Sequence, residues 1–237
     1  IAIGNLINRP VPVDYFEFYK SVSSVYSSRI EGEEIDFDSY FKHRFLQVNF
    51  KPDYTKKADD LYQAYHFIER NKLTFQNVLQ AHSILSSNLL PESQQGVIRT
   101  NPMYVINSDD RIEYVAVAPG LIIPELDKLF LDIDLLQKEK LNPIETFYYA
   151  ALIHLVFVKI HPFQDGNGRT ARLVEKWFLI EKLGEKATCI PSEKNYFRRL
   201  EEYYKNIRKP GLEYDQLDYS KALDFLLMTV NGMQLPE

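Results

Sequence analysis

Residues 143–172 read PIETFYYAALIHLVFVKIHPFQDGNGRTAR. The first eighteen are apolar nearly all round, with Phe147, Ala150, Ala151, His154, Leu155 and Val158 on one face at helical spacing. A helix with so little polar surface belongs at the centre of a core, so the pattern predicts a buried central helix over 143–160. His161-Pro162 ends it, because proline lacks the N–H that would continue the ladder and its ring clashes with the preceding turn. Phe163 is the lone apolar residue of a polar loop and is expected to plug into the core and fix the loop's shape. Gly166-Asn167-Gly168 follows, directly before a second helical pattern over 168–183.

That loop has the composition of an anion site. Glycines let backbone N–H groups approach a ligand closely, and the helix N-terminus behind them adds free donors and a positive dipole end. Arg169 and Arg172 are three residues apart, share the first turn, and can grip two different phosphates. Asp165 would repel phosphate unless a cation bridged the two, and Mg2+ is the usual bridge. His161 can take a proton near neutral pH. Gly-Asn-Gly alone would read as a structural junction between helices. The complete set predicts a Mg-nucleotide or other polyphosphate beside a general base, and hence phosphoryl or nucleotidyl transfer.

Working outward, helices are expected over 14–31 (Phe16, Tyr19, Val22, Ser23, Tyr26 and Ile30 in register), 34–48, 57–70 and 74–88, with Thr74 capping the last. Gly32 ends the first, and KPDYT (51–55) reads as a loop. The period changes at residue 96, where GVIRTNPMYVINSDDRIEYVAVAPG alternates β-branched and aromatic residues around NSDD, a hairpin pattern over about 97–118. Helical spacing returns over 122–137, 192–208 and 215–231. The fold class is therefore all-α, a helical bundle with one β-hairpin.

The totals narrow the function. With 237 residues, 45% apolar, the chain can build one sizeable core, and only nine glycines argue against an all-β fold. A net charge of −5 argues against general nucleic-acid binding. The single cysteine, Cys189, rules out an internal disulfide and fits a reducing, cytoplasmic compartment. No apolar run is read as a membrane span, and IAIGNLINRPVP does not read as a secretory signal. His154 is expected to be a core histidine with a hydrogen-bond partner, while His43, His66 and His82 show no partner pattern.

HPFQDGNGRTAR (161–172) resembles the Fic-domain signature, His-Pro-Phe-x-Asp/Glu-Gly-Asn-Gly-Arg-x-x-Arg, at every fixed position. The resemblance covers roughly residues 14–210 and implies a helical bundle with a hairpin flap. It implies transfer of AMP from ATP to a Tyr, Thr or Ser hydroxyl of a target protein, with Mg2+ as cofactor. Carried over, His161 is the base that deprotonates the hydroxyl, and Asp165 holds Mg2+ between the α- and β-phosphates. The backbone of Gly166, Asn167 and Gly168, with the Asn167 side chain, forms the anion hole. Arg169 holds the β-phosphate region and Arg172 the γ-phosphate, while Phe163 anchors the loop. The flap would align the target by strand addition, with Met103, Tyr104, Val105 and Ile106 as the strand nearest substrate. NYFRRLEEYY resembles the helix bordering the adenine, with Tyr196, Leu200 and Tyr204 as its contacts. Two departures leave target choice open: Ile98 stands before Arg99 where an aromatic is common, and the hairpin tip carries Asp109 and Asp110.

Beside that signature, SSRIEG (27–32) resembles the Ser/Thr-x-x-x-Glu-Gly/Asn pattern of an inhibitory helix. Ser27 and Glu31 share a helix face, and Gly32 completes the match. The resemblance implies that Glu31 pairs with Arg172 and keeps the γ-phosphate out. The expected organisation is an N-terminal inhibitory segment over 1–56, a catalytic core over 57–210 and a C-terminal helix over 211–237. Intact Gly-Asn-Gly-Arg favours nucleotidyl transfer over the other chemistries of similar folds. The alternatives are removal of AMP from a target, and a nucleotide-sensing regulatory module acting through protein partners. A homodimer is a further expectation of the resemblance; direct nucleic-acid or membrane binding is not expected.

Overall fold

The computed structural model describes residues 14–106 and 112–231, and these form a helical bundle with a two-stranded antiparallel hairpin. At its centre, helices that we label α6 (Pro143–Ile160) and α7 (Asn167–Leu183) pack along each other on either side of the loop quoted above. α6 begins with a reciprocal cap: Asn142 accepts from the Glu145 N–H (3.0 Å) and Glu145 accepts from the Asn142 N–H (2.8 Å). By length and mean hydropathy (1.3) α6 could cross a bilayer, contrary to the sequence expectation; 61% of it is buried inside the molecule, the mark of a core helix.

Around this pair lie α1 (Tyr15–Ile30), α2 (Phe37–Leu46), α3 (Pro52–Arg70), α4 (Phe75–Leu85) and α5 (Ile122–Lys138). α1 packs mainly on α3 and on the later helix α8 (Ser192–Arg198), and from Lys20 to Ile30 only Tyr26 and Arg29 are more than marginally accessible. Its serines make this close nesting feasible: Ser21 and Ser24 donate back to the carbonyls of Glu17 (3.0 Å) and Lys20 (2.8 Å). α1 is a helix buried on most sides rather than one amphipathic stripe. α2 is the reverse, with Tyr40 its only buried residue and Val48 beyond its end and exposed.

Several boundaries differ from the periodicity. KPDYT is not a loop, since α3 starts at Pro52: proline at the first helical position gives up an N–H that has no partner there in any helix. The predicted 192–208 helix breaks at Arg199 (φ −118, ψ 41) into α8 and α9 (Leu200–Arg208). The predicted 215–231 helix is a series of short turns, the last α10 (Leu223–Leu226) and α11 (Met228–Asn231). The hairpin is shorter than its alternation suggests: β1 is Tyr104–Ile106 and β2 is Ile112–Val115, with a bulge after Val105. Residues before β1 run instead along the central loop, where Ile98 bridges Phe163 and the Arg99 N–H donates to the Pro162 carbonyl (2.9 Å). The hairpin tip with Asp109 and Asp110 and both chain ends lie outside the described residues.

Candidate active site

His161 is the C-cap of α6 and holds a left-handed conformation, φ 53 and ψ 60, that is rare away from glycine. Its neighbours fix it there. The buried Arg99 guanidinium donates to the carbonyls of His161 (2.6 Å), Ile160 (3.3 Å), Val117 (2.7 Å) and Asn101 (2.6 Å), so it caps the α6 C-terminus and ties it to the foot of the hairpin. The ring's Nδ1 lies 3.2 Å from the Val158 carbonyl and 3.0 Å from the Tyr114 hydroxyl. A carbonyl accepts only, so Nδ1 carries the proton and Nε2 keeps a lone pair, as a general base requires. Burial, with the nearby Arg99 charge, pushes this imidazole down to about 4, against the opposing pull of Glu31 and Asp165.

The loop after it is braced from within. Asn167 accepts from the Phe163 N–H (2.8 Å) and donates to the Phe163 carbonyl (2.9 Å). Its side chain is thus engaged inside the loop, where it braces the turn between Phe163 and α7. Phe163 is 1% exposed and stacks on His82, with ring centroids 3.6 Å apart at 11°. Gly166 has φ +78, and its N–H donates to Asp165 Oδ1 (2.6 Å). The first ladder bond of α7 runs from the Thr170 N–H to the Gly166 carbonyl (2.9 Å), so the N–H groups of 167–169 precede the ladder, as at any helix start.

Arg172 is 1% exposed and four contacts hold it. It donates to Ser27 Oγ (2.8 Å), the Ser27 carbonyl (3.1 Å), the Tyr203 hydroxyl (3.2 Å) and Glu31 Oε1 (2.6 Å). Desolvation pulls the Glu31 carboxyl upward, but the charges of Arg172 and Arg169 outweigh it and hold the group below the usual carboxylate range. Arg169, 3% exposed, is turned away to Glu33 Oε1 (3.1 Å), which Lys57 also contacts (2.6 Å). Both motif arginines therefore face carboxylates from one short turn, with Gly32 (φ +86) between them.

A cavity of about 770 Å3 opens here, within the range of small-molecule sites. Among its lining residues are His161, Gly168, Arg172, Glu31, Tyr203 and Tyr204, and the hairpin side adds Val105, Ile106 and Tyr114. Not every expected residue reaches it. Tyr196 is fully buried, with its hydroxyl on Glu175 (2.9 Å) and Thr229, and Leu200 packs against the core. Tyr104 is exposed and is not among the lining residues, and Met103 serves the hairpin by accepting the Ala116 N–H (3.0 Å) at its carbonyl. Asp165 is exposed at the loop. Among the described residues no group of three or more His, Cys, Asp or Glu is placed to hold a metal alone. A single carboxylate beside an anion loop suits a cation whose other ligands are phosphate oxygens and water.

Sequence reasoning passed over Tyr203, Tyr114, Arg99, Glu33 and His82. Tyr203 is the most consequential: its oxygen accepts from Arg172 and lies 3.0 Å from His154 Nε2, while His154 Nδ1 faces Glu175 (2.6 Å). The seven-residue step from Tyr196 to Tyr203, two helical turns, was the available signal, although the break at Arg199 obscures it.

Residues 72–179 match the model of the Fic/DOC family. Protein adenylyltransferase fic-1 of Caenorhabditis briggsae is 32% identical over 106 residues, 45% of this chain and 19% of that protein. Protein adenylyltransferase Fic of Drosophila erecta is 26% identical over 176 residues, 71% of this chain and 33% of the relative. The chain thus spans a third or less of the length of these relatives. In fold it resembles a Fic family protein from Desulfovibrio desulfuricans (TM-score 0.78, 20% identity, 98% of this chain and 71% of that one). A Fic domain containing signaling protein from Bacteroides thetaiotaomicron is similar in the same way (TM-score 0.70, 18% identity, 98% and 91%). The central helix pair, the braced loop and the hairpin beside it thus follow the fold of these two structures, and over residues 72–179 the chain is similar to the Fic/DOC family.

Proposed function

We propose that the chain transfers AMP from ATP to a side-chain hydroxyl of a target protein and that Glu31 holds it inactive at rest. The observation that carries this reading is the meeting of His161, the loop around Gly168, Arg172 and the hairpin at one cavity. The target oxygen attacks the α-phosphorus, the bond to the bridging oxygen of the β-phosphate breaks, pyrophosphate leaves, and the hydroxyl proton passes to His161 Nε2. Backbone N–H groups at the start of α7 offer hydrogen bonds to the charge that develops on the phosphoryl oxygens. Asp165 would hold Mg2+ together with phosphate oxygens, and the metal when bound neutralises phosphate charge. Tyr204 borders the base side of the cavity. The outer edge of β2 is met at Val115 by the Leu212–Glu213 segment, whereas β1 pairs only with β2 among the described residues, which leaves β1 as the strand for a target segment.

The names of the relatives support adenylyl transfer, and the contact of Glu31 with Arg172 supports the resting state. Incubation with ATP and Mg2+ followed by intact-mass spectrometry tests it: the Glu31→Gly chain gains an AMP adduct, His161→Ala in that background gains none, and an adduct on both would sink the assignment of His161. A second reading, hydrolytic removal of AMP, draws on Glu31 and His161 lining the same cavity, where a carboxylate can orient water. Loss of AMP from the modified Glu31→Gly chain on adding the unmodified parent would favour it.

A further inference from the structure

We infer that His82 is a positioning residue for the transfer reaction, which sets the direction of the Asp165–Gly166 peptide and with it the first turn of the anion loop. This rests on the reaction proposed above. His82 lies in α4, is fully buried, and touches three parts of the site's scaffold at once. Its ring stacks on Phe163, its Nε2 lies 2.9 Å from the Asp165 carbonyl, and its Nδ1 lies 2.9 Å from the Gly96 nitrogen. The two partners decide the tautomer. An amide N–H only donates, so Nδ1 accepts, and a carbonyl only accepts, so Nε2 donates. The ring therefore bridges the start of the pre-hairpin segment to the loop with one bond of each polarity, and stacking fixes its plane.

The same peptide is held on its other side, where the Gly166 N–H donates to Asp165 Oδ1. Held at its carbonyl by His82 and at its N–H by Asp165, the peptide cannot rotate, and Gly166 keeps φ +78. His82 also explains why position 166 has no side chain: a Cβ there would stand 3.2 Å from Nε2, besides 3.3 Å from Leu85. The role asked of His82 is orientation, since it touches neither a lining atom of the cavity nor a reacting one.

Three substitutions in the Glu31→Gly chain separate orientation from packing. His82→Phe keeps the stacked ring and loses both hydrogen bonds. His82→Gln can return a donor near Nε2, and His82→Asn only an acceptor near Nδ1. A misplaced loop loses rate faster than it loses ground-state binding, so kcat falls by about 10- to 100-fold in His82→Phe while KM for ATP moves by less than about threefold. Gln recovers much of the lost rate and Asn does not. Amide hydrogen exchange at residues 165–168 follows the same order, faster in Phe and Asn than in Gln or parent, and does so whatever the reaction. Equal exchange in all four proteins, or rates that track melting temperature rather than the donor, would overturn the inference. An inactive Glu31→Gly parent with the expected exchange order would count against adenylyl transfer and leave His82's positioning of the loop standing.

Discussion

Replacing Glu31 with glycine tests whether Arg172 is occupied or merely neighboured. Glu31 Oε1 lies 2.6 Å from Arg172 Nη2, with Arg172 at 1% and Glu31 at 30% side-chain exposure. Removing one member of a fully buried ion pair costs roughly 3–5 kcal/mol, because the other is left without a partner. Arg172 keeps three hydrogen bonds to Ser27 and Tyr203, and Glu31 opens on the cavity, so this contact is worth about 2–3 kcal/mol, the range for a charge-assisted bond. An anion that must displace Glu31 binds more weakly by that amount. At about 1.4 kcal/mol per tenfold, Glu31→Gly should bind a non-hydrolysable ATP analogue about 30- to 150-fold more tightly than the parent.

The nucleotide series sharpens the test. If Arg172 receives the γ-phosphate, the gain belongs to ATP and its analogue and is largely absent for ADP. Glu31→Gln, which keeps an acceptor oxygen but drops the charge, should fall between parent and glycine. Isothermal titration with Mg2+ and each nucleotide reads all of this, and melting temperature supplies a check. Without ligand the glycine chain melts lower, at about 2–4 °C per kcal/mol for a chain of this size. Identical affinities in parent and variant, or equal gains for ADP and the ATP analogue, would refute the reasoning.

Four further outcomes are expected. Glu33→Ala frees Arg169 from a pair in which Glu33 is 28% exposed, a contact of about 1 kcal/mol, so nucleotide affinity rises only about fivefold and adds to the Glu31→Gly gain; titration of the double variant checks the sum. His161 holds its neutral form down to about 4, so the acid limb of kcat/KM in the Glu31→Gly chain lies well below the 6.5 of free imidazole; a limb at 6.5 would contradict the burial. The same depression means that the folded chain binds fewer protons than the unfolded one between those values, so this contribution to stability is full above 6.5 and is lost as pH falls toward 4. Gly166→Ala places a methyl 3.2 Å from His82 in a left-handed conformation, costing about 1–2 kcal/mol for the backbone alone, which denaturant melts would show beside a loss of activity.

What could be read from the sequence was what depends on local chemistry. The apolar run of α6, its end at His161-Pro162 and the glycine-flanked turn into α7 are set by neighbours in the chain, and their boundaries fall within a residue of expectation. The contact between Glu31 and Arg172 was reached through resemblance, since 141 residues separate the pair and no periodicity connects them. What stayed hidden depends on three-dimensional partners. His82, His43 and His66 each meet partners in the structure, Asp165 and Gly96 for the first, Asp59 for the second, Glu17 for the third, none adjacent in sequence. Tyr196 and Tyr203 are both aromatic and both buried; the break at Arg199 decides which one meets Arg172. The strand pattern over 97–103 was read as hairpin because alternation does not say which backbone a segment pairs with, and here it pairs with the central loop.

On the resting state proposed above, these contacts also decide how large a movement release requires. α1 is anchored by contacts that do not involve the Glu31 side chain: Ser23 donates to the buried Glu193 (2.9 Å), which also faces Lys176 (3.2 Å) and Tyr65 (2.8 Å), and Tyr204 donates to the Ile30 carbonyl (3.0 Å). Undocking the helix would strand several buried polar groups, each at roughly 1–3 kcal/mol. Glu31 itself is the C-cap residue, beyond the last turn of α1, with its side chain partly open to the cavity. A carboxylate in that position can swing away while Ser27 and Tyr203 keep Arg172 where it is. The geometry thus favours a switch that works by occupancy: Glu31 sits against Gly168, where a Cβ would lie only 2.5 Å from its oxygen, and so fills space at the mouth of the anion loop. An ATP analogue at high concentration should then displace the side chain without moving α1. Exchange protection of residues 20–28 would be retained on binding, and its loss would point to undocking of the helix instead.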